Sequence, residues 1–499
     1  MAERYVLGID GGTGGIRATL YDLAGRAIGN GSSNYTTAHP HPGWAEQDPE
    51  DWWQGCGLAV RAALADAGIN AGSVIGLAAD TTNCSVVMLD EQGLALRPAL
   101  IWMDVRSARQ SERIAATGSP ELVVNNNGRG PVSAEWMLPK CLWLKENEPA
   151  RYAAAHSICE YQDFLNLRLT GRLCASINNT RIRWHFSEDG PPSDLLAALN
   201  ARELLEKWPG DVLSLGQRVG VLTTGAAAHL GLAPGTPVYQ GGADAQIGVI
   251  GLGVTAPGDM ALITGSSHLL LGLSANAIHG DGFWGTYASA LLPGLHVVEG
   301  GLTSTGSVIS WFQRQFCGDT GLAALDAEAA LVAPGSEGVV ALDHFQGNRT
   351  PHTDPHSRGA LVGLSLSHTR AHVYRALMES IAMGTRLILD SLADGGYDIG
   401  DLVLCGGASQ SPLWLQIHAD VMGRPLHLPR VSDAPTLGCA ILAAAGAGEY
   451  DSIEQAATAM VHRQSVIEPD PQTHTAYAAP YARYQALYRA QRQVLGTQA

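Results

Sequence analysis

Lysine occurs at only three of the 499 positions, Lys140, Lys145 and Lys207. Motifs built around a lysine are therefore missing. There is no G-x-x-x-x-G-K-[ST] loop, which excludes a P-loop nucleotide enzyme. There is no V-A-I-K lysine and no H-R-D loop, which excludes a protein kinase. The eight cysteines contain no C-x-x-C pair, and they are expected to be buried free thiols, not metal ligands or disulfides. No basic n-region leads into an apolar h-region, so no signal peptide is expected. No apolar run reaches membrane-spanning length. The reducing cytoplasm is the expected compartment. Positive charge is also scarce, at 31 Lys and Arg against 47 Asp and Glu, a net charge of −16. Without a basic stripe to neutralise phosphates, nucleic acid is not an expected partner, nor is a membrane. An anionic ligand needs a local site of backbone N–H groups, a helix N-terminus or a metal.

What is present fits a packed globular chain, with 46% hydrophobic and 16% charged residues, long enough for several domains. Tyr5–Ile9 is strand-like, a Gly-rich turn spans Asp10–Gly15, and Ile16–Tyr21 resumes in β-type residues before Asp22–Gly25 turns again. Successive hairpins of this kind predict an antiparallel meander at the edge of a mixed sheet. Helices are expected around Glu50–Ala67 and Ser107–Ala116, with strands at Val74–Ala79 and Ser85–Leu89 between them. The same strand, small-residue turn, strand order returns at Asp259–Thr264, Gly265–Ser267 and His268–Leu273, which suggests an internal duplication. The boundary is placed in Gly251–Pro257. Tyr477, Tyr481, Tyr484 and Tyr488 fall on one stripe of a C-terminal helix, expected to pack against the body.

Three segments can carry chemistry. Gly8–Arg17 contains Asp10-Gly11-Gly12-Thr13-Gly14-Gly15; its glycines let backbone N–H groups approach a phosphate, and Asp10 can hold a hydrated Mg²⁺. It is not a dinucleotide fingerprint, because the G-x-G-x-x-G register fails and a hairpin follows where a helix should begin. Val238–Gln246 ends a strand in Gly241-Gly242 and puts Asp244 at the start of a helix. Leu402–Trp414 runs a buried-type strand into the turn Gly406-Gly407-Ala408 and then a helix, which brings backbone close to a flat ligand. Each segment can also be read as an ordinary tight turn or helix cap.

With these segments in hand, the chain resembles the FGGY family of carbohydrate kinases, within the actin-like, ribonuclease-H-like ATPases, over nearly its whole length. Asp10–Thr13 through Arg17 is similar to the family's first phosphate motif, and Gly43–Trp53 to its tryptophan-rich loop. Gly359–Leu364, continuing through His372 to Glu379, matches its C-terminal signature. Gly406–Ala408 with Trp414, Gln416, Ala419, Asp420 and Gly423 resembles its adenosine motif, and Lys140–Leu144 part of a further signature.

The resemblance implies an α/β fold of two ribonuclease-H-like (actin-like ATPase) lobes with a cleft between them. Residues 1–252 would form a sugar-binding lobe and residues 253–499 an ATP-binding lobe ending in a helix. It implies ATP-dependent phosphoryl transfer to a sugar hydroxyl, with Mg²⁺, and possible assembly as a homodimer. Asp244 would be the catalytic base, ionised at neutral pH if its pKa is the ordinary ~4. Asp10 would support the metal through water. Thr13 and Gly14 would meet the phosphates from one side, and Gly265, Ser266 and Ser267 from the other. Gly406, Gly407 and Ala408 would line the nucleotide site. Trp102-Met103-Asp104-Val105-Arg106 resembles the sugar-contacting segment of ribulose kinases, and Asp80-Thr81-Thr82-Asn83-Cys84 their version of a second loop. Glu299-Gly300-Gly301 and Gly347-Asn348-Arg349 point the same way. Asp80, Trp102, Asp104, Arg106, Asp244 and Glu299 are thus the expected sugar contacts, with Arg181 or Arg183 nearby. A xylulose, pentitol or tetritol kinase is the alternative within enzymes; an actin-like sensor that binds without turnover is the alternative outside them.

Overall fold

The structure is a computed structural model, and it describes residues 4–124, 132–280, 282–430 and 433–495. Two mixed sheets organise it. The first runs Arg218–Val221, Pro237–Tyr239, Val74–Thr81, Tyr5–Gly11, Gly15–Asp22, Ala27–Asn34. Its last three strands are the antiparallel meander that the turn residues predict. Val74–Thr81 and Pro237–Tyr239 add parallel to Tyr5–Gly11. All seven residues of Tyr5–Gly11 are buried, as a central strand covered on both faces requires.

The second sheet repeats the plan. Met260–Thr264, His268–Ser274 and His296–Leu302 form the meander, and Leu402–Gly406 and Leu426–Pro429 extend it in parallel from Met260–Thr264. Gly285–Ala288 and Arg463–Ile467 close its edges. The shared order carries the duplication that the turn grammar suggests.

Helix Pro49–Ala67 covers one face of the first sheet. Asp48 caps it through the Glu50 N–H, Pro49 sits in its first turn and Gly68 ends it at φ 62°, so both ends are written in the sequence. The other face is covered from far along the chain, by helix Ala434–Gly446. A Cβ on Gly8 would lie 1.9 Å from the Thr436 carbonyl oxygen; only glycine permits that approach. The same helix packs on Asp244–Gly251, and Leu437, Ala440 and Ile441 share a core with Val6, Ala78 and Ile247. The tyrosine stripe is buried, and its hydroxyls donate to carboxylates: Tyr477 to Glu379 at 2.9 Å, Tyr481 to Asp390 at 2.7 Å, Tyr484 to Asp343 at 2.7 Å and Tyr488 to Asp354 at 3.1 Å. All eight cysteines are free. No helix of the described residues is long and apolar enough to cross a membrane.

Candidate active site

Parallel strands deliver their C-terminal ends to one place, which is where ligands bind in sheets of this kind. Asp10 and Asp80 are register partners on Tyr5–Gly11 and Val74–Thr81. Asp244 is the first residue of the helix after Pro237–Tyr239. Asp10 Oδ2 accepts from Arg17 Nε at 3.0 Å, and Arg17 Nη2 also reaches it. Asp10 Oδ1 is buried, and the Asp10 side chain lies within hydrogen-bonding reach of the Asp80 carboxyl. Asp80 is fully buried and accepts the Cys439 thiol at 3.2 Å. Burial, then the Asp10 and Asp244 charges, hold its carboxyl well above the usual range.

Asp244 keeps part of its surface open to the cavity described below. Burial pushes its pKa up to about 7; the Asp10 charge adds to this, while the Ala245 N–H and Arg17 oppose it. The ordinary value expected from the sequence is thereby corrected. Desolvation and a like charge act together on one carboxyl, and neither is visible in the local motif.

Two hairpin turns offer the expected phosphate contacts. In the first, Thr13 Oγ1 accepts from Trp102 Nε1 at 2.9 Å, the Thr13 carbonyl accepts from Gln47 Nε2 at 2.7 Å, and Gly14 is exposed. In the second, Gly265 N–H donates to the Ser267 carbonyl at 2.9 Å, and the Ser266 carbonyl accepts from Thr305 N–H at 2.8 Å. Neither the Ser266 nor the Ser267 hydroxyl is engaged among the described residues, so both stay available to a ligand. Thr264 ties this turn to the next motif: its hydroxyl donates to the Cys405 carbonyl at 2.7 Å and accepts from Ala408 N–H at 3.0 Å. Gly406 has φ 95° and ψ −159°, and a Cβ there would lie 1.9 Å from the Thr264 carbonyl oxygen. The space beside Gly407 is open, while Ala408 is buried.

A cavity of about 320 Å³ opens beside Asp244, lined from both sheets. Trp102 and Glu299 line it as expected. Both Glu299 oxygens accept from Arg183 Nη2, at 3.0 and 3.1 Å. Arg183, not Arg181, therefore reaches the wall; Arg181 bonds the Ala288 carbonyl and lines a separate pocket. A larger cavity, about 670 Å³, lies between Leu89–Leu94 and Leu167–Leu173. It holds none of the three aspartates, so size does not mark the site.

Three expected sugar contacts are corrected. Asp104 and Arg106 do not line the cavity, because they bind each other: Arg106 Nη2 and Nε donate to Asp104 Oδ2 at 2.7 and 3.0 Å, and Ala45 N–H adds a third bond at 2.7 Å. The Arg106 guanidinium also pairs with Glu46 at 2.7 Å and lies 3.6 Å over the Trp44 ring. The pair fixes the turn that presents Trp102. Asp80 likewise lies behind Asp10, not on the wall. Glu135, Trp136 and Trp284 do line the cavity, and no motif in the sequence marks them as such.

Residues 5–251 match the N-terminal domain of the FGGY family of carbohydrate kinases, and residues 260–447 match its C-terminal domain. The chain belongs to this family. It is a phosphotransferase. A ribulokinase of Geobacillus thermodenitrificans is 32% identical over 98% of this chain and 94% of its own. The human FGGY carbohydrate kinase domain-containing protein is 31% identical over 99% and 98%. The crystal structure of a xylulose kinase from Rhodospirillum rubrum superposes with a TM-score of 0.90 at 30% identity, covering 98% of this chain and 99% of that one. The fold is the two-lobe actin-like ATPase fold.

Proposed function

We propose that this FGGY kinase transfers the γ-phosphoryl group of ATP to a terminal hydroxyl of an open-chain, ribulose-type pentulose in the cytoplasm. The observation that carries the reading is Asp244: a carboxylate at a helix start, with a pKa of about 7, facing a cavity floored by Trp102. A base poised near the working pH accepts a hydroxyl proton as the new bond forms. The Asp10 carboxylate at its strand end fits a hydrated Mg²⁺, which favours one carboxylate and several waters. Bound together, the metal and nucleotide supply the phosphoryl group and neutralise its charge.

The chain's own part is positioning. Residues 1–252 would supply Asp244, the Trp102 indole and the Thr13–Gly14 turn. Residues 253–499 would supply Ser266 or Ser267, the Gly406–Ala408 turn and Glu299. Glu299, already held by Arg183, offers its remaining lone pairs to sugar hydroxyls. The likeness to ribulokinases supports the pentulose. The likeness to a xylulose kinase supports the second reading, a xylulose substrate. A coupled assay of ribulose, xylulose, pentitols and tetritols with ATP and Mg²⁺ tests both. The expected result is highest kcat/KM for a ribulose isomer; highest kcat/KM for a pentitol or tetritol would discard the pentulose.

A further inference from the structure

Two arginines reach the cavity wall, Arg183 and Arg349, and they are in opposite states. Arg183 is saturated by Glu299, and its Nη1 also donates to Tyr287 Oη at 3.0 Å. The Arg349 guanidinium lies 4.0 Å over the Trp284 ring, yet makes no hydrogen bond or ion pair among the described residues. Its loop is fixed. Asn348 and Asp354 exchange backbone hydrogen bonds at 2.8 and 2.9 Å, Asn348 Oδ1 accepts from His352 N–H at 2.9 Å, and Thr350 Oγ1 donates to the Gly282 carbonyl at 3.0 Å. The Arg349 side chain is half-buried and its fork of N–H donors meets no acceptor among the described residues, so the fork is open to a ligand that offers paired acceptor oxygens. The charged neighbours of Arg349 are Glu299, Glu135 and Arg183, whereas those of Asp244 are Asp10 and Arg17. Both side chains line the one cavity, each in its own charged surroundings.

We propose that Arg349, backed by Trp284, is a specificity-determining residue that grips the two adjacent oxygens of an α-hydroxyketone, at the end of the sugar remote from Asp244. The inference rests on the pentulose reading and extends it. A planar guanidinium matches two oxygens lying in one plane. The C1 hydroxyl and C2 carbonyl of an open-chain ketose can lie so, because C2 is trigonal. In a pentitol, C2 is tetrahedral, and its oxygen carries a proton that competes with the arginine's own donors.

The test compares a ketopentose with the pentitol of the same C3 and C4 configuration, on wild type, Arg349→Lys and Arg349→Met. Wild type is expected to favour the ketose by at least about tenfold in kcat/KM. Arg349→Met should lower the ketose value by about 30–100-fold, mainly through KM, and the pentitol value by less than about threefold. The ratio then falls by at least about tenfold, with Arg349→Lys intermediate. An unchanged ratio, or equal losses on both substrates, overturns the proposal. A wild type that prefers the pentitol, or turns over no ketopentose, overturns the pentulose reading itself before any variant is compared. Melting curves show whether Arg349→Met folds; if it does not, Arg349→Lys decides through the same ratio.

Discussion

Trp102 Nε1 donates to Thr13 Oγ1 at 2.9 Å, so an indole on the cavity wall beside Asp244 holds a hydroxyl of the Gly11–Gly15 turn, the turn proposed to meet the phosphates. One neutral hydrogen bond is worth about 0.5–1.5 kcal/mol, or roughly two- to tenfold in an affinity. Trp102→Phe keeps an aromatic face but removes the donor. It is expected to raise the KM for ATP by that factor and to leave the sugar KM within about threefold. Trp102→Ala should weaken both. Steady-state kinetics with each substrate varied in turn separate the cases; a Phe variant with an unaltered ATP KM leaves the link without a role.

Asp244→Asn should bind sugar and ATP yet lose about 10²–10⁴ in kcat, the usual share of a general base. In the wild type, kcat/KM should fall about tenfold per pH unit below about 7, because the protonated carboxyl cannot accept a proton. The stability sign follows from the same shift. The fold binds this proton more tightly than the unfolded chain does, so stability declines as pH rises from about 4 to about 7. Asp244→Asn should therefore melt about 2–4 °C above wild type at pH 8 and level with it only near pH 4. A variant less stable than wild type at pH 8 would contradict the raised pKa.

Asp104→Ala should act on the fold and not on sugar choice. It leaves the buried Arg106 guanidinium with Glu46 alone as its carboxylate and takes the acceptor from the buried Ala45 N–H, a loss of about 1–3 kcal/mol. Thermal melting should show a large drop, and kcat/KM should fall by the same factor for ribulose and xylulose. A changed ratio between the two sugars would return Asp104 to the list of sugar contacts.

Gly406→Ala places a Cβ against the Thr264 carbonyl at a φ of 95°. Backbone strain of about 1–3 kcal/mol and displacement of the Gly406–Ala408 turn are expected. Calorimetry should show ATP binding weakened at least about tenfold with sugar binding retained. Wild-type ATP affinity would remove this turn from the nucleotide site.

Much of this was legible in local sequence. The meander is spelled by the glycines after Tyr5–Ile9, helix Pro49–Ala67 by Asp48 and Gly68, and the start of the Asp244 helix by the glycine pair before it. Those features depend on neighbours in the chain. What could not be read depends on distance. Nothing near Asp104 shows that Glu46 and Trp44 will meet Arg106 and draw that pair away from the cavity. Nothing near Asp244 announces Asp10, 234 residues earlier, or the desolvation that lifts its pKa. The cavity's Trp136 and Trp284 look like any core indoles until two sheets bring them together.

The helix Ala434–Gly446 lies within the C-terminal family match, residues 260–447, yet reaches back to lie on Gly8 and against Ile247 in the N-terminal match, residues 5–251. The N-terminal half made alone would therefore present Val6, Tyr21, Ala78 and Ile247 to water as a bare apolar wall. Such a wall invites aggregation. During synthesis the first sheet must wait for more than 180 further residues before its second face can be covered. The two lobes are thus separate in their sheets but not in their folding, and a fragment ending near residue 252 should be insoluble unless the Ala434–Gly446 segment is supplied with it.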